Sequence, residues 1–435
     1  MLNFLKKYLD DDNLEVLSKG FSFLVLRVIG TLLSFIFSVY MTNTFGKDVW
    51  GLLAQTTAIF TILSIFGCMG LDINMVKYFS QDKNITDSGI YFRSLIKVFI
   101  ISSLLSFVFY VFSDTIVNDL FIEPKPELLL YFKWILPSIP FWSLTQVSSG
   151  LMRARKMNKS YAFYSMAAKF LILVLVVVLF NVTDIEIVLK TYLFSIISIS
   201  MASIIHGILI LKNLSLSSKV NSWAFVKDSI PMMLSSSILV LMSWMDTIIM
   251  GVFYDEGEVG VYNVAVKITT LSVFSLQAIN SILAPKIAKL YAENDTDKYL
   301  KLIKFSTKMN FFITLAVVAC LIIFSTFFLN LFGEGFLSGF SVLLVLCIGQ
   351  LINSLSGSVG VIMQMIGEQK KYQTLIVIAL VINLVLTLIL TPLYGGIGAA
   401  TSTVMSLIFW NIAGALFLKN KKNIQTYFIP FGTTN

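Results

Sequence analysis

This sequence has little charge. Only 13% of its 435 residues are Asp, Glu, Lys or Arg, whereas ordinary soluble domains carry about 25%. Hydrophobic residues make up 57%. A soluble chain of this length could bury a large core, but it would still need a charged surface to face water. The shortage of charge therefore excludes an ordinary soluble globular protein.

Patterns that bind metals or nucleotides are also missing. The sequence has one histidine, His206, and three cysteines in separate apolar runs, Cys68, Cys320 and Cys347. Because no Cys-x-x-Cys pair or other metal-ligand spacing occurs, we expect the cysteines to pack as small apolar side chains. No Gly-x-x-x-x-Gly-Lys-Ser/Thr phosphate loop is present, which argues against direct use of ATP. We therefore expect no bound metal and no organic cofactor.

Long apolar runs are abundant instead. Runs such as GFSFLVLRVIGTLLSFIFSVYMTN and MNFFITLAVVACLIIFSTFFLNLF are long enough to cross a hydrocarbon layer of about 30 Å. Hydropathy predicts twelve membrane-spanning helices, with Pro137 and Pro140 kinking the fourth. The predicted spans are 21–43, 50–71, 94–113, 128–150, 161–181, 191–211, 229–254, 259–284, 309–332, 338–366, 373–391 and 396–418. The linkers are short, so no sizeable soluble domain is attached.

The two sets of six spans resemble each other. One constant shift places Gly51 over Gly260 and Lys77 over Lys286. Because each half has six spans, both halves point the same way, and a pseudo-twofold axis would lie along the membrane normal. We predict an all-α membrane protein with two six-helix lobes and a central cleft. The predicted parts are an N-terminal lobe at 1–211, a cytoplasmic linker at 212–228, a C-terminal lobe at 229–420 and a cytoplasmic tail at 421–435.

Basic residues are concentrated in alternate linkers. Of the 32 Lys and Arg residues, 24 lie in the linkers on one side, and only Lys47, Lys125 and Lys190 lie in those on the other. The positive-inside rule places the basic side in the cytoplasm. Both termini should therefore be cytoplasmic, and the net charge of +8 indicates topology rather than nucleic-acid binding.

Three blocks of sequence carry a family resemblance. They are YMTNTFGKDVWGLLAQ with GLDINMVKYFS, then WMDTIIMGVFYDEGEVGVYNVAVKI with AINSILAPKIAKLYAEND, and MQMIGEQKKYQTLIVIALVINLVLTLILTPLYGGIGAATSTVMS. Together they make the chain similar to the polysaccharide repeat-unit flippases (Wzx-type) of the multidrug/oligosaccharidyl-lipid/polysaccharide (MOP) superfamily. Twelve spans suit that branch, whereas lipid II flippases usually have two more, and multidrug exporters share the architecture.

The resemblance implies a transporter rather than an enzyme. The implied cargo is an undecaprenyl-pyrophosphate-linked oligosaccharide, moved by alternating access from the cytoplasmic to the outer leaflet of a bacterial cytoplasmic membrane for O-antigen, capsule or exopolysaccharide synthesis. Membrane lipid, a polysaccharide polymerase and a chain-length regulator are the implied partners. The runner-up functions are multidrug extrusion and lipid II-type export. A membrane polymerase or glycosyltransferase is the rival from another class, but it would want a large external loop or an acidic metal motif.

Seven charged residues lie within the predicted spans or at their edges. They are Arg27, Asp72, Lys97, Lys133, Lys169, Asp246 and Lys267. Lys97 and Lys133 are close enough to span ends to snorkel, and Asp72 is expected to pair with Lys77. Five of the seven are cations, which suits an anionic cargo, whereas an exporter of cationic drugs should favour acidic residues.

Polar residues follow three of the spans at helical spacing. Arg27 shares a face with Thr31 and Ser34, and Lys267 shares one with Asn263 and Gln277. Gln350 and Asn353 begin a third polar stripe. We predict that Arg27, Lys169 and Lys267 bind pyrophosphate and that the six hydroxyl and amide side chains bind sugar. The alternative is interhelical hydrogen bonding in a closed bundle.

Asp246 lies in the apolar run VLMSWMDTIIMGVF. A carboxylate at the centre of a span costs about 2.5–3.5 kcal/mol, so its presence needs a reason. We predict that Asp246 binds a coupling ion, H⁺ or Na⁺. The alternative is a structural counter-ion for Lys267 or Arg27.

Overall fold

The computed structural model describes residues 11–81, 87–211, 215–218 and 220–428, and every regular element in these ranges is helical. The first ten residues, parts of the predicted linker 212–228 and the end of the predicted tail 421–435 lie outside the described residues. The chain divides into two compact units, Met1–Val240 and Leu241–Asn435.

The first unit is built from apolar helices because unpaired backbone groups are too costly in lipid. Its α-helices are α1 (Asp11–Cys68), α2 (Leu71–Phe79), α3 (Ser88–Val111), α4 (Leu128–Ile135), α5 (Ile139–Ala154), α6 (Asn158–Ala162), α7 (Ala168–Leu173), α8 (Ile185–Leu211) and the first part of α9 (Ser222–Phe253). Shorter helical turns cover Ser113–Thr115, Ile116–Leu120, Leu136–Ser138, Phe163–Ala167 and Val174–Val178.

The second unit begins inside α9 and continues with longer helices. These are α10 (Glu256–Ala292), α11 (Thr296–Ile323), α12 (Ser325–Asn330), α13 (Phe340–Ser356), α14 (Val359–Met365) and α15 (Gln369–Lys422), with a 3₁₀ turn at Glu334–Gly339. A cluster of buried side chains, including Ile287, Ile303 and Ile362, forms its core. The chain after α15 packs against this unit: Ile424 is fully buried, and the Phe428 amide donates to the Leu355 carbonyl at 2.9 Å.

Twelve predicted spans correspond to fewer continuous helices. In the described part of the chain, nine helices are long and apolar enough to cross a membrane. Two of them contain two spans each, because α1 has a non-helical residue at Gly46 and α15 has one at Gly395. The fourth span is interrupted at Leu136–Ser138 by a 3₁₀ turn, as its prolines predict. The described helices therefore account for all twelve spans, and the all-helical prediction is confirmed.

Two further breaks shape the first unit. Between α1 and α2 the chain passes through Met69 and Gly70, both with positive φ (51° and 72°). Gly70 also has no room for a side chain, because a Cβ there would meet the backbone of Ser229. In the fifth span, α7 lies between two π-helical turns, Phe163–Ala167 and Val174–Val178. Such turns are frequent at functional sites.

Candidate functional site

The second unit buries one carboxylate, that of Asp246 on α9, which is 3% exposed. Four side chains donate hydrogen bonds to it. Tyr262 donates its hydroxyl to Oδ2 at 3.1 Å, Thr387 its hydroxyl to Oδ1 at 3.0 Å, Asn383 its amide to Oδ1 at 3.4 Å, and Thr403 its hydroxyl to Oδ2. The acid is thus held by donors from helices α10 and α15.

The shape of α15 brings three of these donors together. Asn383 and Thr387 are one helical turn apart and so lie on one face. Gly395, with φ of 56°, separates this half of the helix from the half that carries Thr403. A side chain at Gly395 would be strained at that φ, so the glycine allows both halves to reach the same carboxylate.

All four donors to Asp246 are neutral. The hydrogen bonds on its oxygens thus come from hydroxyl and amide groups. The Asn383 side-chain oxygen is buried without a hydrogen-bond partner. Six side-chain oxygen atoms therefore belong to the residues of this cluster: two from Asp246 and one each from Tyr262, Asn383, Thr387 and Thr403. A single carboxylate with neutral oxygen donors is chemically suited to a hard monovalent cation or a proton.

Lys169, which the sequence predicts to bind pyrophosphate, lies half-buried on α7 in the first unit. Its Nζ donates to the Tyr192 hydroxyl at 3.2 Å. It also lies 4.7 Å from the ring centroid of Phe170, 4.9 Å from that of Tyr192, 5.5 Å from that of Trp142 and 6.0 Å from that of Phe60. Four rings within about 6 Å provide cation–π stabilisation for this cation. Sequence reasoning missed these rings because they come from four different spans.

Arg27, Thr31 and Ser34 lie together on α1, each half-buried. The Thr31 hydroxyl donates to the Arg27 carbonyl at 3.0 Å, and the Ser34 carbonyl accepts from the Ser38 hydroxyl at 2.7 Å. The Thr31 hydroxyl proton is therefore used by its own helix, which leaves its oxygen lone pairs to accept hydrogen bonds.

The polar stripes of the second unit differ from each other. Lys267, Asn263 and Gln277 are half-buried along α10. In α13, the Asn353 amide donates to the Gln350 side-chain oxygen at 3.3 Å, and the Asn353 side-chain oxygen accepts from the buried Asn411 at 3.1 Å. The Gln350–Asn353 bond lies within α13, whereas the bond from Asn411 to Asn353 joins α15 to α13 and is of the interhelical kind that the sequence left open.

Two other charged residues of the predicted spans, Lys97 and Asp72, have different surroundings. Lys97 donates to the Ser222 hydroxyl at 2.6 Å and lies 4.1 Å from the Trp223 ring. The pairing expected between Asp72 and Lys77 is wrong: no ion pair joins these two described residues, and Lys77 is exposed. Asp72 instead lies in the first turn of α2, where the helix dipole favours a carboxylate.

Sequence comparisons identify a family. A family model described as "Polysaccharide biosynthesis protein" matches residues 16–291, and one described as "MatE" matches residues 231–389. One curated relative is the "Probable low-salt glycan biosynthesis flippase Agl15" of Haloferax volcanii, 24% identical over 191 residues. The match covers 44% of this chain and only 40% of that relative.

Solved structures of similar shape identify the fold. The lipid II flippase MurJ in an inward closed conformation superposes with a TM-score of 0.77 at 19% identity, over 92% of this chain and 87% of that one. A multidrug resistance MATE family transporter in an inward-facing conformation gives 0.74 at 16% identity, over 92% and 98%. A MOP superfamily transporter from Pyrococcus furiosus gives 0.68 at 16% identity, over 94% and 95%. The fold is therefore the two-lobed, all-helical fold of MOP superfamily transporters.

Proposed function

The chain belongs to the polysaccharide biosynthesis protein family, and from this premise we propose that it flips undecaprenyl-pyrophosphate-linked oligosaccharide repeat units. The direction is from the cytoplasmic to the outer leaflet of a bacterial cytoplasmic membrane, with both termini cytoplasmic. The product serves O-antigen, capsule or exopolysaccharide synthesis, and a polymerase and a chain-length regulator act on it next. Flippase function itself agrees with the family model and with the curated relative.

The oxygen cluster around Asp246 is the observation that supports ion-coupled transport. We propose that this cluster binds the coupling ion, H⁺ or Na⁺. One carboxylate balances one monovalent charge, and the buried Asn383 side-chain oxygen has no partner. Rotation of that amide would turn an oxygen rather than an amino group toward the ion. Each unit charge that crosses the membrane supplies about 2.3 kcal/mol per 100 mV, which biases a two-state transporter.

For the cargo, the proposal assigns pyrophosphate recognition to Arg27, Lys169 and Lys267. The planar guanidinium of Arg27 can bind two phosphate oxygens at once, whereas the two lysines act as point charges. Thr31, Ser34, Asn263 and Gln277 would bind sugar hydroxyls. Gln350 and Asn353 are less available for this role, because Asn353 donates to Gln350 and accepts from Asn411.

The first experiment tests cargo and direction. Cells lacking the chain are expected to accumulate lipid-linked oligosaccharide on the cytoplasmic side and to lose surface polysaccharide. Purified chain in liposomes should expose that lipid to an impermeant probe. Movement of lipid II but not of the accumulated oligosaccharide lipid would favour the lipid II alternative, and efflux of cationic drugs alone would favour the multidrug alternative.

A second experiment tests the ion site. Asp246→Asn keeps the shape of the side chain but cannot change charge, so it should bind substrate lipid yet lose flipping that depends on an ion gradient. Asp228→Asn, at an exposed position of the same helix, is the matched control and should behave as wild type. Normal gradient-dependent flipping by Asp246→Asn, with the same pH and Na⁺ response, would end the coupling proposal.

A third experiment tests the cations. Arg27→Ala and Lys267→Ala should insert normally but abolish surface polysaccharide, and Arg27→Lys should restore it only in part, because the two-pronged contact is lost. Lys308→Ala, at an exposed site on α11, is the control. Normal polysaccharide from both alanine variants would remove Arg27 and Lys267 from the site.

A further inference from the structure

The first unit contains a cavity of about 350 Å³. Neither Asp246 nor the cations proposed to bind pyrophosphate are among the described residues that line it. It lies where the end of α1 and the start of α2 meet α5 and the first part of α9. Gly70 lines it, so the turn that separates α1 from α2 forms part of the cavity wall. A volume of this size is in the range of small-ligand sites.

The polar groups in the cavity are chiefly hydrogen-bond acceptors. The Ser64 hydroxyl donates its proton to the Phe60 carbonyl at 2.6 Å. Ser236 and Ser237 donate theirs to carbonyls of their own helix, each at 3.2 Å. Each hydroxyl oxygen keeps its lone pairs for a ligand. The carboxylate of Asp72 also lines the cavity, and it accepts hydrogen bonds only.

The charge of the lining selects against phosphate. No Lys or Arg is among the described residues that line the cavity. A phosphate or pyrophosphate placed there would lose its hydration and meet a carboxylate instead of a cation. A ligand rich in hydroxyl donors would meet the complementary set of acceptors. The Gln146 amide, also in the lining, can both donate to and accept from such a ligand.

One wall of the cavity is the indole of Trp142. Its ring centroid lies 6.3 Å from that of Phe60 and 5.5 Å from the Lys169 ammonium. The ring therefore contacts an aromatic ring and a cation, neither of which lines the cavity. A fixed aromatic face among hydroxyl and carboxylate acceptors matches a sugar ring, which has an apolar C–H face and polar hydroxyls at its edge.

We propose that this cavity binds an uncharged sugar ring of the glycan, with Trp142 against its C–H face and with Asp72, Gln146 and Ser236 on its hydroxyls. The inference rests on the proposed function, because it assigns one part of the same cargo. The proposal places the sugar and the pyrophosphate at different sites, because the described lining of the cavity has hydrogen-bond acceptors and no Lys or Arg. The Lys169 ammonium lies 5.5 Å from the centroid of this ring, which gives the cation a positioning role for the sugar in addition to its proposed contact with pyrophosphate.

The test compares two probes on the purified full-length chain in lipid nanodiscs. One is the lipid-linked oligosaccharide that accumulates in cells lacking the chain, and the other is undecaprenyl pyrophosphate without sugar. Trp142→Leu and Gln146→Ala should each weaken binding of the oligosaccharide lipid at least tenfold and change binding of the bare lipid less than twofold. Trp223→Leu, an exposed tryptophan outside the cavity, should change neither.

A second measurement does not depend on the stability of the Trp142 variant. In a chain whose native cysteines are replaced by serine, Ser236→Cys should be alkylated readily, and the oligosaccharide lipid should slow the reaction at least fivefold while the bare lipid does not. Equal effects of both lipids in the two measurements would overturn the sugar site and leave the proposed function standing. If the wild-type chain bound neither lipid, the proposed function would fail, and the sugar site with it.

Discussion

The Asp246 cluster makes a quantitative prediction about stability. If Na⁺ binds there, it stabilises the folded chain by an amount that grows with the Na⁺ concentration, about 2.7 kcal/mol at 100 times the Kd. Asp246→Asn removes the unit charge. At about 4 Å and an effective dielectric constant of about 20, one charge pair contributes about 4 kcal/mol, which is close to a thousandfold in affinity. The Na⁺-dependent stabilisation should then vanish.

The asparagine variant itself should remain folded. The hydroxyls of Tyr262, Thr387 and Thr403 can accept as well as donate, so they can turn to meet the new amide group. Replacing hydrogen bonds to a charged group by neutral ones costs about 1 kcal/mol each. Asp246→Ala is a harsher change, because it leaves three buried donors and the half-buried Thr403 hydroxyl without their acceptor. An unsatisfied buried donor costs about 1–3 kcal/mol, so this variant should fold poorly.

The assay is thermal unfolding of the purified chain in a Na⁺ series, with choline chloride keeping the ionic strength constant. We expect the melting temperature of the wild type to rise by several degrees and that of Asp246→Asn to stay level, with Asp228→Asn following the wild type. If the coupling ion is H⁺, the wild type should respond to pH instead, and Asp246→Asn should lose that response. A wild type indifferent to both ions, or an unchanged Na⁺ response in Asp246→Asn, would refute the reasoning.

Three further predictions concern backbone, tail and topology. Gly357 and Gly367 both have positive φ (77° and 87°), but a Cβ at Gly357 would meet Thr307, whereas one at Gly367 would meet nothing within 4 Å. Gly357→Ala should therefore lower the melting temperature more than Gly367→Ala does. Equal losses of melting temperature would contradict this. Phe428→Ala should reduce stability by about 1–3 kcal/mol, because the ring packs 5.6 Å from that of Phe311; resistance to heat equal to wild type would show that the tail contributes nothing. In a cysteine-free chain, Thr183→Cys should react with an impermeant reagent outside the cell and Ser217→Cys should not, and the opposite labelling would reverse the proposed topology.

The helices were predictable because the membrane permits few alternatives. A long apolar run must satisfy its own backbone groups, so its length and hydropathy indicate a span directly. The places where spans join or break were harder. Pro137 and Pro140 predict the interruption of the fourth span. Nothing in the sequence distinguishes Gly46, Gly70 and Gly395 from other glycines. Their positive φ values follow from how neighbouring helices meet.

Asp246 was recognisable from sequence, whereas its partners were not. An acid in an apolar run is conspicuous because lipid penalises it. Three of its four donors are 137 to 157 residues away, from Asn383 to Thr403, and only Tyr262 is near in sequence, 16 residues away. Threonine or asparagine within a span has many structural uses. One pattern was available: Asn383, Thr387 and Thr391 repeat at helical spacing in the eleventh span. These three positions carry no charge, so charge alone does not distinguish that face.

Charge is also a poor guide to the cavity beside Trp142. Sequence reasoning placed sugar recognition next to the cations, on the hydroxyls that share a helical face with Arg27. Cations attract pyrophosphate, but a sugar ring offers donors and an apolar face, and it needs acceptors and an aromatic surface rather than positive charge. Under the proposed function, Lys169 connects these two chemistries within the first unit, because its ammonium lies against the indole that forms one wall of the cavity. Lys169→Met, which retains bulk but not charge, should therefore weaken binding of the oligosaccharide lipid through Trp142 more than binding of the bare lipid. Equal weakening of both would leave Lys169 with pyrophosphate recognition alone and remove its positioning role for the sugar.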